Sequence, residues 1–248
     1  MQELSVVVAI VGSTFLVAGL VKGVVGMGLP VVAMGLLGLT MPPVEAASLL
    51  VAPTIVTNIW QLCAGPRVAA VTRRFATMMV AICVGTPLGI GLLTRGATSH
   101  ATAALGAVLV VYGTIGLIAP HFAIPARAER WCSPLIGLIT GAVSGATGVA
   151  AMPLALYLTS LDLDKEEMIQ TLGLSFTVSM LALATGLAIE GQFRASVAGG
   201  SLLALVPAAA GMALGQRIRE RMSSGMFRRW FLAGLLALGV YMVARTLA

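Results

Sequence analysis

The sequence predicts an all-α polytopic membrane protein, and three observations lead to this class. Of the 248 residues, 58% are hydrophobic and only 10% are charged, whereas a soluble domain carries about 25% charged residues. The mean hydropathy is +1.01. Continuously apolar runs recur from end to end, each close to the length that a helix needs to cross about 30 Å of hydrocarbon. Because the runs do not alternate with polar residues, they favour a helical bundle over an outer-membrane barrel.

Ten apolar segments are predicted, five in each half of the chain. The second segment of each half has 13 residues and reaches only about 20 Å at about 1.5 Å per residue. It is therefore expected to form a broken or re-entrant pair with the segment before it. In chain order the segments are 4–21, 29–41, 44–63, 75–94, 101–120, 132–147, 149–161, 166–189, 195–215 and 230–247.

Two similar stretches, "GLVKGVVGMGLPVVAM" from residue 19 and "GLITGAVSGATGVAAMPLAL" from residue 137, indicate an internal repeat. A second similarity lies further along each half, and the offset stays near half the chain length. We therefore predict two transmembrane repeats, 1–122 and 123–248. The matched positions are Gly19 with Gly137, Gly23 with Gly141, Pro30 with Pro153, Pro87 with Pro207 and Gly91 with Gly211.

The distribution of lysine and arginine predicts the orientation. Whether all ten segments cross or each broken pair folds back, eleven basic residues fall on one side and three on the other. Basic residues are in excess on cytoplasmic loops, so both termini are expected to be periplasmic in a cell inner membrane. An odd number of segments per half makes the halves inverted repeats, as in many secondary transporters. The eleven are Arg67, Arg73, Arg74, Arg127, Arg130, Lys165, Arg217, Arg219, Arg221, Arg228 and Arg229, and the three are Arg95, Arg194 and Arg245.

The sequence lacks the motifs of several other function classes. It contains neither H-E-x-x-H nor G-x-x-x-x-G-K-[ST], the patterns of a zinc protease and of an ATP-binding loop. Ser144 has no evident base and orienting acid for nucleophilic catalysis. Three scattered cysteines give neither a disulfide framework nor metal-ligand spacing. We therefore expect no enzyme, no cofactor, no metal site and no nucleic-acid partner.

The glycine-rich stretches 23–30 and 141–153 are the first candidate site. Glycine and proline let a helix unwind, and unwound backbone in a membrane must be buried in protein or face a wet cavity. The N–H groups and dipole of a new helix N-terminus favour an anion, and two such breaks are expected to meet near the bilayer midplane. Close helix packing by glycines four residues apart is the alternative. The candidate residues are Gly23, Gly26, Met27, Gly28, Gly145, Ala146, Thr147 and Gly148.

Lys22 lies inside the first apolar segment. A lysine at the centre of a span costs about 2.5–3.5 kcal/mol on insertion, although near a helix end its stem could carry the ammonium group to the headgroups. If the helix breaks at Gly23, Lys22 lies at mid-membrane beside unwound backbone. This placement predicts a role in anion binding or gating.

Polar residues recur on one face of the third apolar segment in each half, because residues four apart share a helical face. Their neutral donors suit an oxyanion that must bind weakly enough to leave, and hydrogen bonds between helices are the alternative. The residues are Thr54, Thr57, Asn58 and Gln61 in the first half and Thr171, Ser175 and Ser179 in the second.

The two quoted stretches resemble the TauE/SafE family of membrane permeases, also called the sulfite exporter or toluene-sulfonate uptake family, over essentially the whole chain. The resemblance implies two related halves of four or five spans and transport of sulfur oxyanions or organosulfur anions. Leu29, Ala150 and Ala151 stand where the family often has glycine. The family's glycine motifs fall on Gly23, Gly26, Gly28 and Pro30, and on Gly141, Gly145, Gly148 and Pro153.

Together these observations predict a secondary transporter that exports small sulfur-containing anions, such as sulfite or organosulfonates, by alternating access. A channel-like anion pore is one alternative, and an uptake permease coupled to H⁺ or Na⁺ is another. The expected partners are a small anion and the lipid bilayer. A homo-oligomer and a proton-coupling role for Glu45 are left open.

Overall fold

The computed structural model describes residues 2–96, 98–118, 124–150, 153–193, 195–219 and 224–247. Within these ranges the chain forms eleven α-helices and no strand. The helices are α1 (Gln2–Val25), α2 (Leu29–Leu37), α3 (Pro43–Cys63), α4 (Val68–Arg74), α5 (Ala76–Thr94), α6 (Thr98–Ile118), α7 (Ala126–Thr147), α8 (Leu154–Thr159), α9 (Lys165–Ile189), α10 (Ala195–Arg219) and α11 (Ser224–Leu247).

Six of the described helices are long and apolar enough to cross a membrane: α1, α3, α5, α6, α9 and α10. Their outward surfaces carry large apolar side chains, including Leu88 and Val206, which are 71% exposed. Such surfaces suit a lipid environment. The predicted all-α polytopic membrane protein is therefore confirmed. The structure adds one helix to the predicted segments, because the basic stretch after α3 forms the short helix α4.

The first short helix folds back along α1. Lys22, near the end of α1, contacts Thr57 and Asn58 near the end of α3. Met34, in the middle of α2, lies level with the start of α3, because Gly148 is beside both Met34 and Ala47. Helices α1 and α2 therefore form a re-entrant hairpin. Gly26 and Gly28, with φ angles of 85° and 106°, make its turn, a conformation that only glycine adopts without strain.

The second short helix forms a similar hairpin with α7, entering from the other side of the bundle. The backbone N–H of Ile124, just before α7, donates to the carbonyl of Ser160, just after α8, at 2.9 Å. Both ends of this hairpin therefore lie at one face. Its turn at Gly148 has a φ of 75° and lies near Ala47, close to the face at which the α1–α2 hairpin begins.

Glycines bring two pairs of helices, α1 with α10 and α5 with α7, into backbone contact. A Cβ on Gly19 would overlap the carbonyl oxygen of Ala208, and a Cβ on Gly141 would overlap that of Ile82. These two contacts are equivalent. The residue on α7 is 122 positions after the residue on α1, and the residue on α10 is 126 positions after the residue on α5. Three further contacts match at the same spacings: Gly23 to Met212 with Gly145 to Thr86, Gly211 to Leu16 with Gly85 to Leu138, and Gly215 to Leu20 with Gly89 to Ala142.

These contacts correct the predicted register of the repeat. Gly19 is equivalent to Gly141, one helical turn beyond the predicted Gly137. Likewise Gly85 is equivalent to Gly211, so the predicted match of Pro87 with Pro207 is wrong. The division into repeats 1–122 and 123–248 stays a proposal, and the matched contacts support it. In this register Ser144 is the counterpart of Lys22.

The two ends of the bundle differ in charge. We call the end at which α3 and α10 finish and α7 and α9 begin the basic face, and the other end the opposite face. On the opposite face the Arg95 guanidinium pairs with both carboxylate oxygens of Glu190 at 2.8 Å. The basic-face arginines whose side chains the structure describes are Arg67, Arg73, Arg74, Arg127, Arg130, Arg217, Arg219 and Arg229.

Ion pairs at the basic face join helices from the two halves. Arg67 pairs with Asp164 at 2.5 Å. Arg74 contacts Glu129 at 2.7 Å and Glu167 at 2.7 Å, and the hydrogen bond with Glu129 raises the pKa of Arg74, which stays protonated. Asp164 also caps α9 by accepting a hydrogen bond from the Glu167 backbone N–H, as helix starts favour.

Replacing Arg74 with glutamine is expected to lower the thermal midpoint by about 2–8 °C. The substitution leaves the mostly buried carboxylates of Glu129 and Glu167 without their cation, which costs about 1–2 kcal/mol, and about 1 kcal/mol shifts a chain of this size by about 2–4 °C. Arg73→Gln is the matched control, because Arg73 is exposed on the same helix. Equal midpoints for the two variants in detergent melting curves would contradict this account.

Candidate functional site

Lys22 is buried at the end of α1, with 4% of its surface exposed. Its Nζ donates to Thr57 Oγ1 at 3.1 Å and also to Asn58 Oδ1. Both acceptors are neutral. No carboxylate pairs with Lys22 among the residues that the structure describes. The side-chain nitrogen is therefore held in place by neutral oxygens, and no described carboxylate lies within ion-pair distance of it.

Helix α3 carries both acceptors, and Pro53 interrupts its hydrogen bonding one turn before them. Proline has no N–H, so it leaves the carbonyl of Leu49 without its helical partner, and Ser201 from α10 donates to that carbonyl at 2.8 Å. One turn on, the Thr57 hydroxyl donates its proton to the Pro53 carbonyl at 2.6 Å. The oxygen of Thr57 can then only accept, which suits Lys22.

Donor groups without an acceptor remain beside Lys22. Because lysine only donates, the Asn58 oxygen faces Lys22 and the amide NH₂ points away, and this buried nitrogen has no partner in the described structure. The Thr54 hydroxyl, one turn earlier on α3, is buried and also unpartnered there. A buried polar group without a partner costs about 1–3 kcal/mol. The described groups beside Lys22 that lack a partner are thus donors, and this cluster is the candidate site.

The backbone at the two helix breaks is more fully hydrogen-bonded than the sequence suggests. The Gly26 N–H donates to the Lys22 carbonyl at 2.7 Å, and the Gly148 N–H donates to the Ser144 carbonyl at 2.8 Å. The Thr147 hydroxyl donates to the Val143 carbonyl at 2.7 Å and accepts from the Val149 N–H at 3.3 Å. These groups are therefore not free donors in this conformation.

The two breaks do not meet at the midplane, which corrects that expectation. Gly148 lies beside Ala47, whereas Lys22 lies beside Thr57 and Asn58. Along α3, Ala47 and Thr57 are ten residues apart, or about 15 Å at about 1.5 Å per residue. Each hairpin therefore extends past the turn of the other. The turn at Gly26 lies toward the basic face, and the turn at Gly148 lies toward the opposite face.

Of the predicted site residues, the structure brings Lys22, Thr57 and Asn58 into contact, with Thr54 one turn away. Others are engaged within the protein: Gln61 donates to the Ile169 carbonyl at 3.0 Å, and Thr171 and Ser175 donate to carbonyls of their own helix. Gly23, Gly145 and Ala146 lie at the packed helix contacts. Ser179 is buried, and its hydroxyl has no partner among the described residues.

A cavity of about 380 Å³ extends from the turn at Gly26 and Met27 toward the basic face. Its wall is mostly apolar and includes Leu156 of α8 and Phe231 of α11, and Arg219 at the end of α10 supplies a cation. From the sequence, Arg219 is expected only to contribute to the orientation in the membrane. No local pattern distinguishes it from Arg217, because only the packing of α10 against α1 brings Arg219 to the cavity.

Thr140 is not among the predicted site residues, although its hydroxyl is buried without a partner among the described residues. Thr140 lies on α7 one turn before Ser144, the counterpart of Lys22. The signal in the sequence that could have identified Thr140 is its spacing of four residues from Ser144, since both are hydroxyl residues in an apolar segment. The second half thus has neutral hydroxyls where the first half has a lysine.

A family model described as "Sulfite exporter TauE/SafE" matches residues 11–242, which is nearly the whole chain. No curated protein and no solved structure matches the chain.

Proposed function

Because the chain belongs to the TauE/SafE sulfite exporter family, we propose that it is a secondary transporter that exports a small sulfur-containing anion, such as sulfite or an organosulfonate, by alternating access. The observation that carries the proposal is the buried Lys22, which contacts two neutral oxygens. Lys22 and the Asn58 amide would bind the anion. The basic face is cytoplasmic and both termini are periplasmic in this proposal, in accordance with the excess of basic residues on cytoplasmic loops.

The electrostatics support an anion as the substrate. A charged side chain in a membrane interior is costly and pairs with a partner or lines a substrate path. Since Thr57 and Asn58 are neutral, a bound anion would compensate the charge, and because no fixed carboxylate competes among the described residues, the anion could still leave. Negative potential inside the cell favours anion export by about 2.3 kcal/mol per charge per 100 mV. Uptake would instead need a coupled H⁺ or Na⁺.

Unequal packing at the two hairpin turns supports alternating access. At Gly148 the side chain of Met34 fills the space, 3.0 Å from the position of a Cβ, whereas no atom lies within 4 Å of the corresponding position at Gly26. The residue 122 positions after Met34 is Leu156, which lines the open cavity. In an inverted repeat the two halves can exchange conformations, so the other state would open at Gly148 and close at Gly26.

A cysteine-labelling experiment tests this exchange. In a variant with Cys63, Cys83 and Cys132 replaced by serine, we expect Leu156→Cys to react with a membrane-impermeant thiol reagent only from the basic face. We expect Met34→Cys to react only from the opposite face. Ala33→Cys, buried on the same helix, is the unreactive control. A channel-like pore predicts instead that both cysteines react from both faces.

Flux measurements test the function itself. Purified protein in liposomes is given sulfite, sulfate, sulfoacetate, taurine and a carboxylate in turn, and uptake is followed with each. We expect slow, saturable flux and counterflow for at least one sulfur anion. Conductance that does not saturate would favour a pore, and dependence on an H⁺ or Na⁺ gradient would favour uptake. Absence of flux for every anion would contradict the transporter proposal.

A further inference from the structure

A groove of about 660 Å³ lies between α5 and α7 and shares no lining residue with the cavity at Gly26. It begins near the basic face, beside Ala76 and Trp131, and reaches Val84 and Leu138. From Ala76 to Val84 the helix rises about 12 Å, at about 1.5 Å per residue. Because the hydrocarbon core of a membrane is about 30 Å thick, the groove stays within the leaflet next to the basic face.

The groove is open to the bilayer and has aliphatic walls. The helices α5 and α7 are in backbone contact, since a Cβ on Gly137 would lie 2.5 Å from the carbonyl oxygen of Met78. The contact itself holds no side chain, so the outward residues of the two helices form the walls. Val80 of α5 and Leu135 of α7 are two of these residues, and they are 64% and 57% exposed. In a membrane such a groove is occupied by an acyl chain.

Two arginines stand at the end of the groove near the basic face. Arg127 and Arg130 lie one helical turn before Trp131 and Pro134, which line the groove, and residues four apart share a helical face. The Arg130 guanidinium also lies 5.5 Å from the centre of the Trp131 ring. Both arginines are exposed. Neither forms an ion pair with the acidic residues that the structure describes.

The acidic residue between these arginines does not cancel their charge. Glu129 has a side chain that is only 15% exposed, and the Arg74 guanidinium donates to both of its carboxylate oxygens. The two exposed arginines therefore give the end of the groove a positive charge, and no described carboxylate compensates it.

The internal repeat indicates that helix packing does not require these residues. At the spacing of 122 that relates α1 to α7, the counterparts of Arg127, Arg130 and Trp131 are a serine, a valine and an alanine: Ser5, Val8 and Ala9. The equivalent contact of α1 with α10 thus forms without a cation or a tryptophan at this position. The charge and the aromatic ring are specific to the pair whose groove opens near the basic face.

We propose that the groove binds an anionic phospholipid of the adjacent leaflet, with one acyl chain between α5 and α7 and the phosphate on Arg127 and Arg130. Basic pockets between membrane helices bind anionic headgroups, and tryptophan is enriched at the level of the headgroups. A second copy of this chain fits less well, because a symmetric dimer in the membrane would bring two sets of arginines together at one level. The inference does not depend on the proposed function.

Lipid binding to the full chain in detergent micelles tests the proposal. The probes are dioleoylphosphatidylglycerol, which carries one negative charge, and dioleoylphosphatidylcholine, which has the same acyl chains and no net charge. Native mass spectrometry gives the Kd of each lipid. We expect wild type to bind the anionic lipid about 25-fold more tightly, because each of the two arginines contributes about fivefold, or about 1 kcal/mol. The preference should fall to about fivefold in Arg127→Gln or Arg130→Gln and vanish in the double variant.

Arg217→Gln is the control for charge, because Arg217 is exposed at the same face and does not lie beside the groove. We expect its preference for the anionic lipid to stay within about twofold of wild type. Equal Kd values of the two lipids for wild type would overturn the proposal. A double variant that keeps the preference of Arg217→Gln would also overturn it.

Val80→Trp tests the acyl chain, since an indole at this position would fill the groove. We expect the Kd of both lipids to rise about tenfold, as for the loss of about two buried methylenes. Val206→Trp is the matched control, because Val206 is the counterpart of Val80 at the spacing of 126 and is 71% exposed. Equal effects of the two substitutions would overturn the placement of the chain. A dimer of wild type that Val80→Trp abolishes would assign the groove to a second copy instead.

Discussion

Replacing Lys22 with methionine is expected to reduce anion flux at least about 100-fold while the protein stays folded. Hydrogen bonds to charged groups contribute about 1.5–3 kcal/mol, and about 1.4 kcal/mol corresponds to a factor of ten. The low dielectric around a side chain that is 4% exposed adds to the effect. Methionine has a similar length and no charge, so the substitution removes the cost of burying an ammonium group. The thermal midpoint should therefore not fall.

Replacing Asn58 with aspartate also tests the role of the Lys22 charge, because it supplies that charge with a fixed counter-ion. The substitution keeps the shape of the side chain but places a carboxylate beside Lys22, whose Nζ already contacts the oxygen of this residue. A fixed internal counter-ion would satisfy the ammonium group and compete with the anion. We therefore expect flux to fall as far as in the Lys22→Met variant, with an unchanged or higher thermal midpoint.

Both variants are compared in liposomes containing equal amounts of monodisperse protein, with the anion that wild type transports best. Thr57→Val serves as the control, because it removes one acceptor from Lys22 and leaves the charge in place. A loss of about tenfold or less is expected for this control. Flux equal to wild type in either the Lys22→Met or the Asn58→Asp variant would remove Lys22 from the site.

Replacing Gly89 with alanine is expected to destabilise the protein by about 3 kcal/mol, the upper end of the usual range for overpacking. The new Cβ would overlap the carbonyl oxygen of Ala142 and lie 2.7 Å from the backbone nitrogen of Ala146. Backbone atoms of a packed helix cannot rotate away as a side chain can, so α5 and α7 would have to separate. Small residues at such contacts are what allow membrane helices to approach.

Gly91 provides the matched control, two residues further along α5. No atom lies within 4 Å of a Cβ built on Gly91, and alanine is favoured over glycine inside a helix by about 0.5–1 kcal/mol. We expect the Gly91→Ala variant to be as stable as wild type or slightly more so. The measurement is the temperature at which half of the protein is lost from the monodisperse peak in detergent. Similar midpoints for the two alanine variants would contradict the proposed backbone contact.

Part of the candidate site could be predicted from the sequence, because a charged or polar side chain inside an apolar segment has a free-energy cost in any fold. A lysine inside an apolar segment is expensive wherever its partner lies, so Lys22 stands out without a structure. The polar face of α3 is visible for a similar reason, since Thr54, Thr57 and Asn58 recur at helical spacing. The sequence does not show which of these residues contact Lys22, nor that Gln61, Thr171 and Ser175 are engaged within the protein.

The repeat shows the limit of sequence reasoning most clearly. Gly137, Gly141 and Gly145 are each four residues apart, so a second pair of glycines can be matched to them in two registers that look equally good. Only the contacts of α1 with α10 and of α5 with α7 select the register. The wrong register would have made Thr140, rather than Ser144, the counterpart of Lys22.

By itself the sequence determined the membrane class, the excess of basic residues on one side and a lysine that needs explanation. These are properties of short segments, because transfer into lipid depends on the residues of each helix and hardly on its neighbours. The tertiary structure alone decided the levels of the two hairpin turns, the acceptors of Lys22 and the placement of Arg219 in a cavity. Each of these depends on contacts between helices distant in the chain, where a shift of one turn keeps the hydropathy and changes every partner.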